Sequence, residues 1–133
     1  MEVDIILVVT RFAVDDGDSG FVERAQTALE TLAARPGYLR GRLGRALDEP
    51  GLWLLITEWG SVGDYRRALS SFEVKLNATP LLAQALDEAS AYEVLTAAAP
   101  GGELAVRPSD LAIGPSARPE PDQPPGRALA SPS

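Results

Sequence analysis

The distribution of apolar residues predicts two strands that are covered on both faces. Residues Val3 to Val9 are apolar at every position except Asp4, and Leu52 to Trp59 form a strand-like apolar stretch that ends at Gly60. A strand with one solvent-exposed face would instead alternate apolar and polar residues. A single layer of helices covers only one face of a sheet. In so short a chain, we therefore expect a second copy of the same chain to cover the other face.

Helical periodicity follows both stretches. After a turn cluster rich in Asp and Gly, apolar residues recur at three- and four-residue spacing from Phe21 to Leu32, and a Pro-Gly pair ends the pattern. A second helix is predicted to begin at Ser61, with Asp64 near its positive end. Its predicted apolar face consists of Tyr65, Ala68, Leu69 and Phe72.

The region after the second helix is predicted to be broken. Residues 72–78 are expected to form a bend or irregular linker. Thr79-Pro80 is typical of a helix start, a cap followed by proline at the first helical position, and a short apolar stripe follows it.

Two further strands complete the predicted order. Tyr38 to Leu47 is predicted as a weaker strand with Leu39, Gly41 and Leu43 on one face, and Ala91 to Leu95 as a short final strand. The Asp-Glu-Pro-Gly sequence at 48–51 favours a hairpin between the second and third strands. The order strand, helix, strand, strand, helix, strand predicts an α+β, ferredoxin-like (split βαβ) fold with an antiparallel sheet.

The composition changes from Ala98 onward, where Pro and Gly recur every few residues. Such a segment buries too little apolar area to offset its ordering entropy. We therefore predict a folded domain over residues 1–97 and a flexible or loosely docked tail over residues 98–133. Within the tail, Leu111 to Gly114 form a small apolar island that could rest on the surface of the domain.

Composition excludes several classes of function. A formal net charge of -7 argues against nucleic-acid binding, which needs concentrated Lys and Arg. The chain has no Cys and no His, so thiolate chemistry, the commonest general base and the usual proximal haem ligand are absent. No apolar run approaches the ~20 residues of a membrane span, and we expect a soluble, cytoplasmic protein.

Several of these features together resemble the antibiotic biosynthesis monooxygenase family of dimeric α+β barrels. They are the order of elements, the strand end Thr57-Glu58-Trp59, the helix start at residues 61–65 and the final strand Ala91-Tyr92-Glu93. The likeness covers Met1 to about Ala97. It implies a homodimer in which the two sheets pair into a closed barrel, which would explain why the strands lack a wet face.

The resemblance implies two chemistries. The haem-degrading branch uses an Asn on the first strand, a Trp on the second helix and a His. The matching positions here are Thr10 and Ala68, and the chain has no His, so haem is not an expected partner. The other branch oxidises polycyclic phenols and anthrones with molecular oxygen and without metal or flavin. In that branch the deprotonated substrate supplies the electrons, so the protein needs an apolar pocket, a few polar groups and exclusion of water.

Candidate site residues lie between the predicted sheet and the second helix. We assign Arg11, Tyr65 and Asn77 as catalytic candidates. Arg11 and Asn77 would supply hydrogen bonds to a phenolate or peroxide, and Tyr65 would form part of an aromatic wall. Arg11 would also lower the pKa of a bound phenol, because it is a fixed cation beside the cavity. Each candidate also has a purely structural explanation: Arg11 as half of an ion pair at the dimer seam, Asn77 as a turn residue, and the aromatic residues as core. The substrate-binding candidates are Tyr38, Trp59, Phe72 and Tyr92.

Three functions remain open from sequence. The first is a cofactor-independent monooxygenase acting on a small aromatic, polyketide-like or quinol substrate. The second is a non-oxidative binding or accessory protein, or a cyclase or isomerase, for a hydrophobic metabolite. The third is a non-enzymatic dimeric module whose tail recruits a partner. A roomy cavity beside Arg11 and Tyr65 would favour the first two, and a cavity filled by core side chains would favour the third.

Overall fold

The computed structural model describes residues 5–107, which fall into two compact units, one up to Val94 and one from Leu95 onward. Within the described residues, the first unit contains four strands and four helices, and the second contains a two-stranded hairpin. The elements of the first unit are β1 (Ile6–Ala13), α1 (Phe21–Ala33), β2 (Tyr38–Arg45), β3 (Leu52–Trp59), α2 (Val62–Ser70), α3 (Phe72–Asn77), α4 (Thr79–Leu82) and β4 (Ala91–Glu93). The hairpin consists of β5 (Thr96–Ala98) and β6 (Leu104–Val106).

The four strands of the first unit form one antiparallel sheet in the order β2-β3-β1-β4. The predicted hairpin between β2 and β3 is present, and its turn is closed by a hydrogen bond of 2.9 Å from Leu52 N to Glu49 O. The two strands with continuous apolar sequence lie side by side in the centre, with Val9 opposite Ile56. The α+β, ferredoxin-like prediction is confirmed.

The helices cover one face of this sheet. Alternate residues of β1, at Val8, Thr10 and Phe12, are buried on that face, as are Leu55 and Trp59 of β3. The helices contribute small and medium side chains, so that they can approach the sheet closely. Their buried residues are Phe21, Ala25, Ala28 and Leu32 of α1, Ala68 of α2, Val74 of α3 and Leu81 of α4.

The other face of the sheet, which we call the open face, carries no helix of the first unit. The alternation of side chains along a strand places Leu7 and Val9 of β1 there with Leu54 and Ile56 of β3, and all four are half-buried. An ion pair of 2.9 Å between Arg40 Nε and Glu58 Oε2 lies at one side of these residues. The open face is therefore an apolar surface with a charged margin.

Leu39 does not share a face with Gly41 and Leu43, contrary to the prediction. The register between β2 and β3 shifts after Tyr38, so Leu39 is an extra residue in a bulge and its side chain is 52% exposed. Tyr38 takes the covered position instead. Gly41 follows on the same face of β2. A Cβ at Gly41 would come within 2.9 Å of Leu29 Cδ1 on α1, so the absence of a side chain lets α1 approach the sheet.

The prediction of an irregular linker at residues 72–78 is wrong, because α3 occupies Phe72–Asn77. Ser71 has an extended backbone conformation, so the chain leaves the axis of α2 there and α3 begins at the next residue. Ser71 Oγ caps α3 by accepting a hydrogen bond of 3.3 Å from Val74 N. The change of axis buries Val74 and turns Phe72 outward, 72% exposed. Phe72 is therefore not part of the buried face of α2, although the spacing of apolar residues had predicted that it would be.

Helix starts follow the predictions only in part. Ser61 caps α2, and its Oγ accepts a hydrogen bond of 3.1 Å from Asp64 N, as predicted. α4 begins at Thr79 without a side-chain cap and ends at Leu82, so Thr79 is a helical residue and not the cap. α1 also lacks a side-chain cap, and the nearby Asp18 instead binds Arg24 through two hydrogen bonds of 2.8 and 3.0 Å.

The unit after Val94 contains a two-stranded hairpin, whose second strand lies in the segment that the composition predicted to be flexible or loosely docked. β5 and β6 pair antiparallel, with Ala97 opposite Ala105, and their turn contains Gly101 and Gly102, each at φ +97°. The apolar island at Leu111 lies outside the described residues. Across residues 5–107, the structure contains no helix with the length and hydropathy of a membrane span.

Candidate functional site

A cavity of about 420 Å³ lies in the first unit, between β1 and the segment that connects α4 to β4. It exists because β4 pairs with β1 only as far as Val8. Beyond that point the returning chain is held by two backbone hydrogen bonds, Val9 N to Ser90 O at 2.7 Å and Leu86 N to Arg11 O at 2.8 Å. The cavity is lined by Val9, Thr10, Arg11, Tyr65, Leu82, Ala83, Ala85, Leu86, Asp87, Glu88 and Ser90.

Tyr65 reaches this cavity from α2, and its ring is held from behind by other aromatic rings. Its centroid lies 5.7 Å from that of Trp59, which lies 5.5 Å from that of Tyr38. Trp59 is completely buried, and its Nε1 donates a hydrogen bond of 2.9 Å to Thr57 Oγ1. Edge-to-face and tilted ring packing of this kind favours a fixed orientation. The phenol of Tyr65 is thus presented to the cavity by a rigid support.

The Tyr65 hydroxyl is available to a ligand. It makes no hydrogen bond to any other residue in the described part of the chain. Burial raises the pKa of Tyr65 above its ordinary value of 10.0, because the phenolate would lose solvation. The hydroxyl therefore stays protonated at neutral pH and can donate a hydrogen bond to an oxygen in the cavity.

Arg11 lines the cavity from the open face, on the other side of β1 from Thr10, and it is one half of an ion pair. Its Nε and Nη2 each donate a hydrogen bond of 2.7 Å to a different carboxylate oxygen of Glu88. This hydrogen bonding holds the pKa of Glu88 below its ordinary value and raises the pKa of Arg11. The partner predicted at a dimer seam is thus found within the same chain. The cation at the cavity is largely neutralised before any ligand arrives.

Thr10 is a cavity residue that the sequence did not single out as one. It is 8% exposed, lies on the helix-covered face of β1, and its hydroxyl has no hydrogen-bonding partner among residues 5–107. A polar residue inside an otherwise apolar strand was the available signal. Asp87, Glu88 and Ser90 also line the cavity, but no local pattern distinguishes them from other surface polar residues.

The other candidates lie elsewhere in the first unit. Tyr38 and Trp59 are behind Tyr65, and burial raises the pKa of Tyr38. Asn77 lines a separate groove of about 350 Å³ formed by α1, α3 and α4. Tyr92 is 49% exposed and donates a hydrogen bond of 3.1 Å to Ala89 O. The structure thus brings Arg11 and Tyr65 to one cavity, backs Tyr65 with Tyr38 and Trp59, and leaves Asn77, Phe72 and Tyr92 outside it.

The cavity contains no evident metal-binding cluster. Among residues 5–107, no group of three or more Asp, Glu, His or Cys side chains is arranged to hold a metal ion. The donors that the cavity does offer are hydroxyls and one guanidinium. Such groups bind oxygen atoms of an organic ligand and stabilise negative charge that develops on them.

Solved structures share the fold. A conserved protein from Methanosarcina mazei Go1 matches with a TM-score of 0.59 at 21% identity, over 68% of this chain and 93% of that one. SnoaB, a cofactor-independent oxygenase from Streptomyces nogalater, matches with a TM-score of 0.56 at 23% identity, over 81% of this chain and 97% of that one. A search of curated proteins found no match.

The family assignment comes from the sequence itself. The model of the family described as antibiotic biosynthesis monooxygenase matches residues 5–76, which is more than half of the chain. The matched stretch runs from the start of β1 to the last turn of α3 and contains Thr10, Arg11 and Tyr65. With the fold and this match in agreement, the chain belongs to the antibiotic biosynthesis monooxygenase family.

Proposed function

We propose that this protein is a cofactor-independent monooxygenase that oxidises an aromatic, polyketide-like or quinol substrate with molecular oxygen. The observation that carries the proposal is the pairing of two unbonded hydroxyls, on Thr10 and Tyr65, with a cavity of about 420 Å³. This volume falls within the range of about 300–1,000 Å³ that is common for small-molecule sites. The description of SnoaB as a cofactor-independent oxygenase supports the same class of reaction.

The chemistry needs an electron-rich anion of the substrate. Loss of a proton from an anthrone or hydroquinone gives an enolate or phenolate that can reduce oxygen directly. For an anthrone, one oxygen atom of O₂ forms the new ring carbonyl, and the other leaves as water with the two hydrogens of the oxidised carbon. No external reductant is required, so the protein's task is to bind the substrate and stabilise the anion.

The cavity residues suit that task. In the proposal, the Tyr65 hydroxyl donates a hydrogen bond to the substrate oxygen on which negative charge develops, and Thr10 supplies a second polar contact. Arg11 adds positive charge through Nη1, the guanidinium nitrogen not bonded to Glu88. Trp59 and Tyr38 hold the Tyr65 ring. Asn77, Phe72 and Tyr92 are not assigned a role, because they lie outside this cavity.

We also propose that the protein is a cytoplasmic homodimer that pairs through the open face. Leu7, Val9, Leu54 and Ile56 form a half-buried apolar patch at the centre of the sheet, and no helix of the first unit covers it. Contiguous apolar patches on sheets mark association surfaces. A second copy would bury the patch and match the charged margin at Arg40 and Glu58 to its own.

The test is oxygen uptake by protein stripped of flavin and metals, on a panel of anthrones and hydroquinones. Tyr65→Phe is expected to slow uptake about 10- to 100-fold, because one donor to the developing anion is lost. Arg11→Ala is expected to slow it less, since Glu88 already compensates the charge. Arg66→Ala, an exposed arginine on α2, is the matched control and should leave the rate unchanged. Uptake that stays at the spontaneous rate across the panel would contradict the proposal.

The Arg11–Glu88 pair supports a second candidate function, which is binding of a hydrophobic metabolite without oxidation. A neutralised guanidinium lowers the pKa of a bound phenol less than a free one does. The two candidates separate by experiment, because this second function predicts saturable binding of the same compounds with no oxygen uptake above the spontaneous rate.

A further inference from the structure

We infer that the cavity selects its ligand by charge: it takes neutral or cationic polycyclic phenols and disfavours those that carry a carboxylate. This inference rests on the proposed function, because it names the substrate class of the same cavity. It concerns binding alone and can be tested without turnover.

The charged groups that line the cavity sum to a negative value. They are Arg11, Asp87 and Glu88. Glu88 satisfies Arg11 through two hydrogen bonds of 2.7 Å. Asp87 forms no ion pair with any residue between 5 and 107. One uncompensated carboxylate therefore remains beside the space that a ligand would fill.

The wider surroundings of Arg11 add to this bias. Besides Glu88, the turn residue Glu49 also interacts electrostatically with the guanidinium. Among residues 5–107, no second Lys or Arg lines the cavity. An incoming carboxylate therefore meets an arginine that already has two acidic neighbours, and it has no other positive group to bind.

A carboxylate on the ligand has two options, and both are unfavourable. To bind Arg11 it must displace Glu88 and break two short charge-assisted hydrogen bonds. If it leaves that pair intact, it must lie near Asp87 and Glu88 as a like charge. A neutral hydroxyl avoids both costs, and an ammonium group gains attraction from Asp87. The ring anion of the proposed reaction differs from a carboxylate in position, because its partners Thr10 and Tyr65 lie on the helix-covered side of β1, whereas the Arg11 side chain lies on the open face.

The size of the effect is limited by solvent. The side chains of Arg11 and Glu88 are 41% and 33% exposed, so their interactions with a ligand are screened. Screened charge interactions of this kind change affinity by about fivefold to tenfold, and the preference should shrink as salt is added.

The test is isothermal titration calorimetry with three 1,8-dihydroxyanthraquinones that differ only in the substituent at ring carbon 3: hydroxymethyl, carboxylate or aminomethyl. At pH 7 these are neutral, anionic and cationic. At 50 mM salt we expect the carboxylate to bind about fivefold to tenfold more weakly than the hydroxymethyl compound, and the aminomethyl compound at least as tightly. The carboxylate penalty should fall below about twofold at 500 mM salt. A carboxylate that binds as tightly as the neutral compound at low salt would overturn the inference.

Two variants locate the effect. Glu88→Gln releases Arg11 and removes one negative charge, so it should raise the affinity for the carboxylate relative to the hydroxymethyl compound. Asp87→Asn leaves the Arg11–Glu88 pair in place and should raise the same ratio by a smaller factor. Glu30→Gln removes an exposed acid on α1 that does not line the cavity and should leave the ratio unchanged. An unchanged ratio in both cavity variants would overturn the inference.

Failure of the inference and failure of the proposed function give different results. A clear charge preference in binding, with no uptake of oxygen on the corresponding anthrones, would leave the inference standing and remove the monooxygenase. Uptake of oxygen without a charge preference would support the monooxygenase and overturn the inference. If none of the three compounds bound, both would fall.

Discussion

Tyr65 shows how a single side chain acquires a functional setting from its neighbours. Its ring rests on Trp59, its hydroxyl has no hydrogen-bonding partner in the described part of the chain, and burial keeps it protonated. Sequence alone pointed to Tyr65 and Arg11, because a pocket was expected between the sheet and the second helix, where Tyr65 is an aromatic residue of that helix and Arg11 a cation on the first strand. It could not point to Glu88, which is 77 residues from Arg11. Nothing local distinguishes that acid from the other 18 in the chain.

The raised pKa of Tyr65 has a consequence for stability at high pH. A group whose pKa is higher in the folded state contributes stability that is fully present below its unfolded pKa and is lost as pH rises through the folded value. The folded protein should therefore lose stability above about pH 10. Tyr65→Phe should lose less over the same range. Urea denaturation between pH 7 and pH 11.5 measures this, and a variant as sensitive to alkali as the wild type would contradict the assignment.

Gly37 occupies a backbone conformation and a space that only glycine can adopt without strain. It adopts φ +89°, its carbonyl accepts a hydrogen bond of 2.9 Å from Gly60 N, and a Cβ there would overlap the side chain of Asp64. Gly37→Ala should lower the free energy of unfolding by about 1–3 kcal/mol from conformation alone, with the overlap adding to it. Gly17→Ala, where a Cβ meets nothing within 4 Å, is the control and should change it by less than about 0.5 kcal/mol. Equal effects in chemical denaturation would refute this account.

The helices show where periodicity is informative and where it misleads. The Ser61 cap was predictable, because a serine three residues before an acid precedes a new apolar pattern. Ser71 has the same function, yet Tyr65, Ala68 and Phe72 continue a helical spacing straight across it. Spacing therefore predicted one helix face where the structure has two helices with different axes. The burial of Val74 stabilises the second axis, and that burial depends on tertiary packing that no local pattern contains.

The cap at Ser71 should be measurable in the stability of the domain. Ser71→Ala leaves Val74 N without its hydrogen bond and should lower the free energy of unfolding by about 1 kcal/mol. Ser19→Ala removes an exposed hydroxyl that makes no side-chain hydrogen bond among residues 5–107, and it is the control. Thermal or urea denaturation compares the two, and a Ser71 variant as stable as the Ser19 variant would show that the cap contributes nothing.

At the scale of the whole molecule, the order of strands and helices was predictable because each element carries its own pattern and its own turn. The hairpin of β5 and β6 was not. Its strands are three residues each, and the Pro-Gly-Gly turn between them has the composition of a disordered tail. The helices of the first unit cover only one face of β1 and β3. They explain why the residues on that face are apolar, but not why those on the open face are.

The open face leads to a prediction about oligomeric state. If it is a dimer interface, the protein should sediment at twice the 14.1 kDa chain mass. Ile56→Arg places a charge at the centre of the patch and should give a folded monomer. Val22→Arg, at an exposed apolar residue of α1, should remain dimeric. Analytical ultracentrifugation with circular dichroism checks both, and a monomeric wild type at 100 μM would refute the interface.

We have proposed that this chain uses molecular oxygen on an organic substrate without a cofactor. The most direct measurement is incorporation of ¹⁸O from ¹⁸O₂ into the product of an anthrone, with protein shown to be free of flavin and metal. We expect one labelled oxygen in each product molecule, formed faster than in buffer, and a marked loss of that rate in Tyr65→Phe. Label entering from water, or labelling no faster than in buffer, would contradict it.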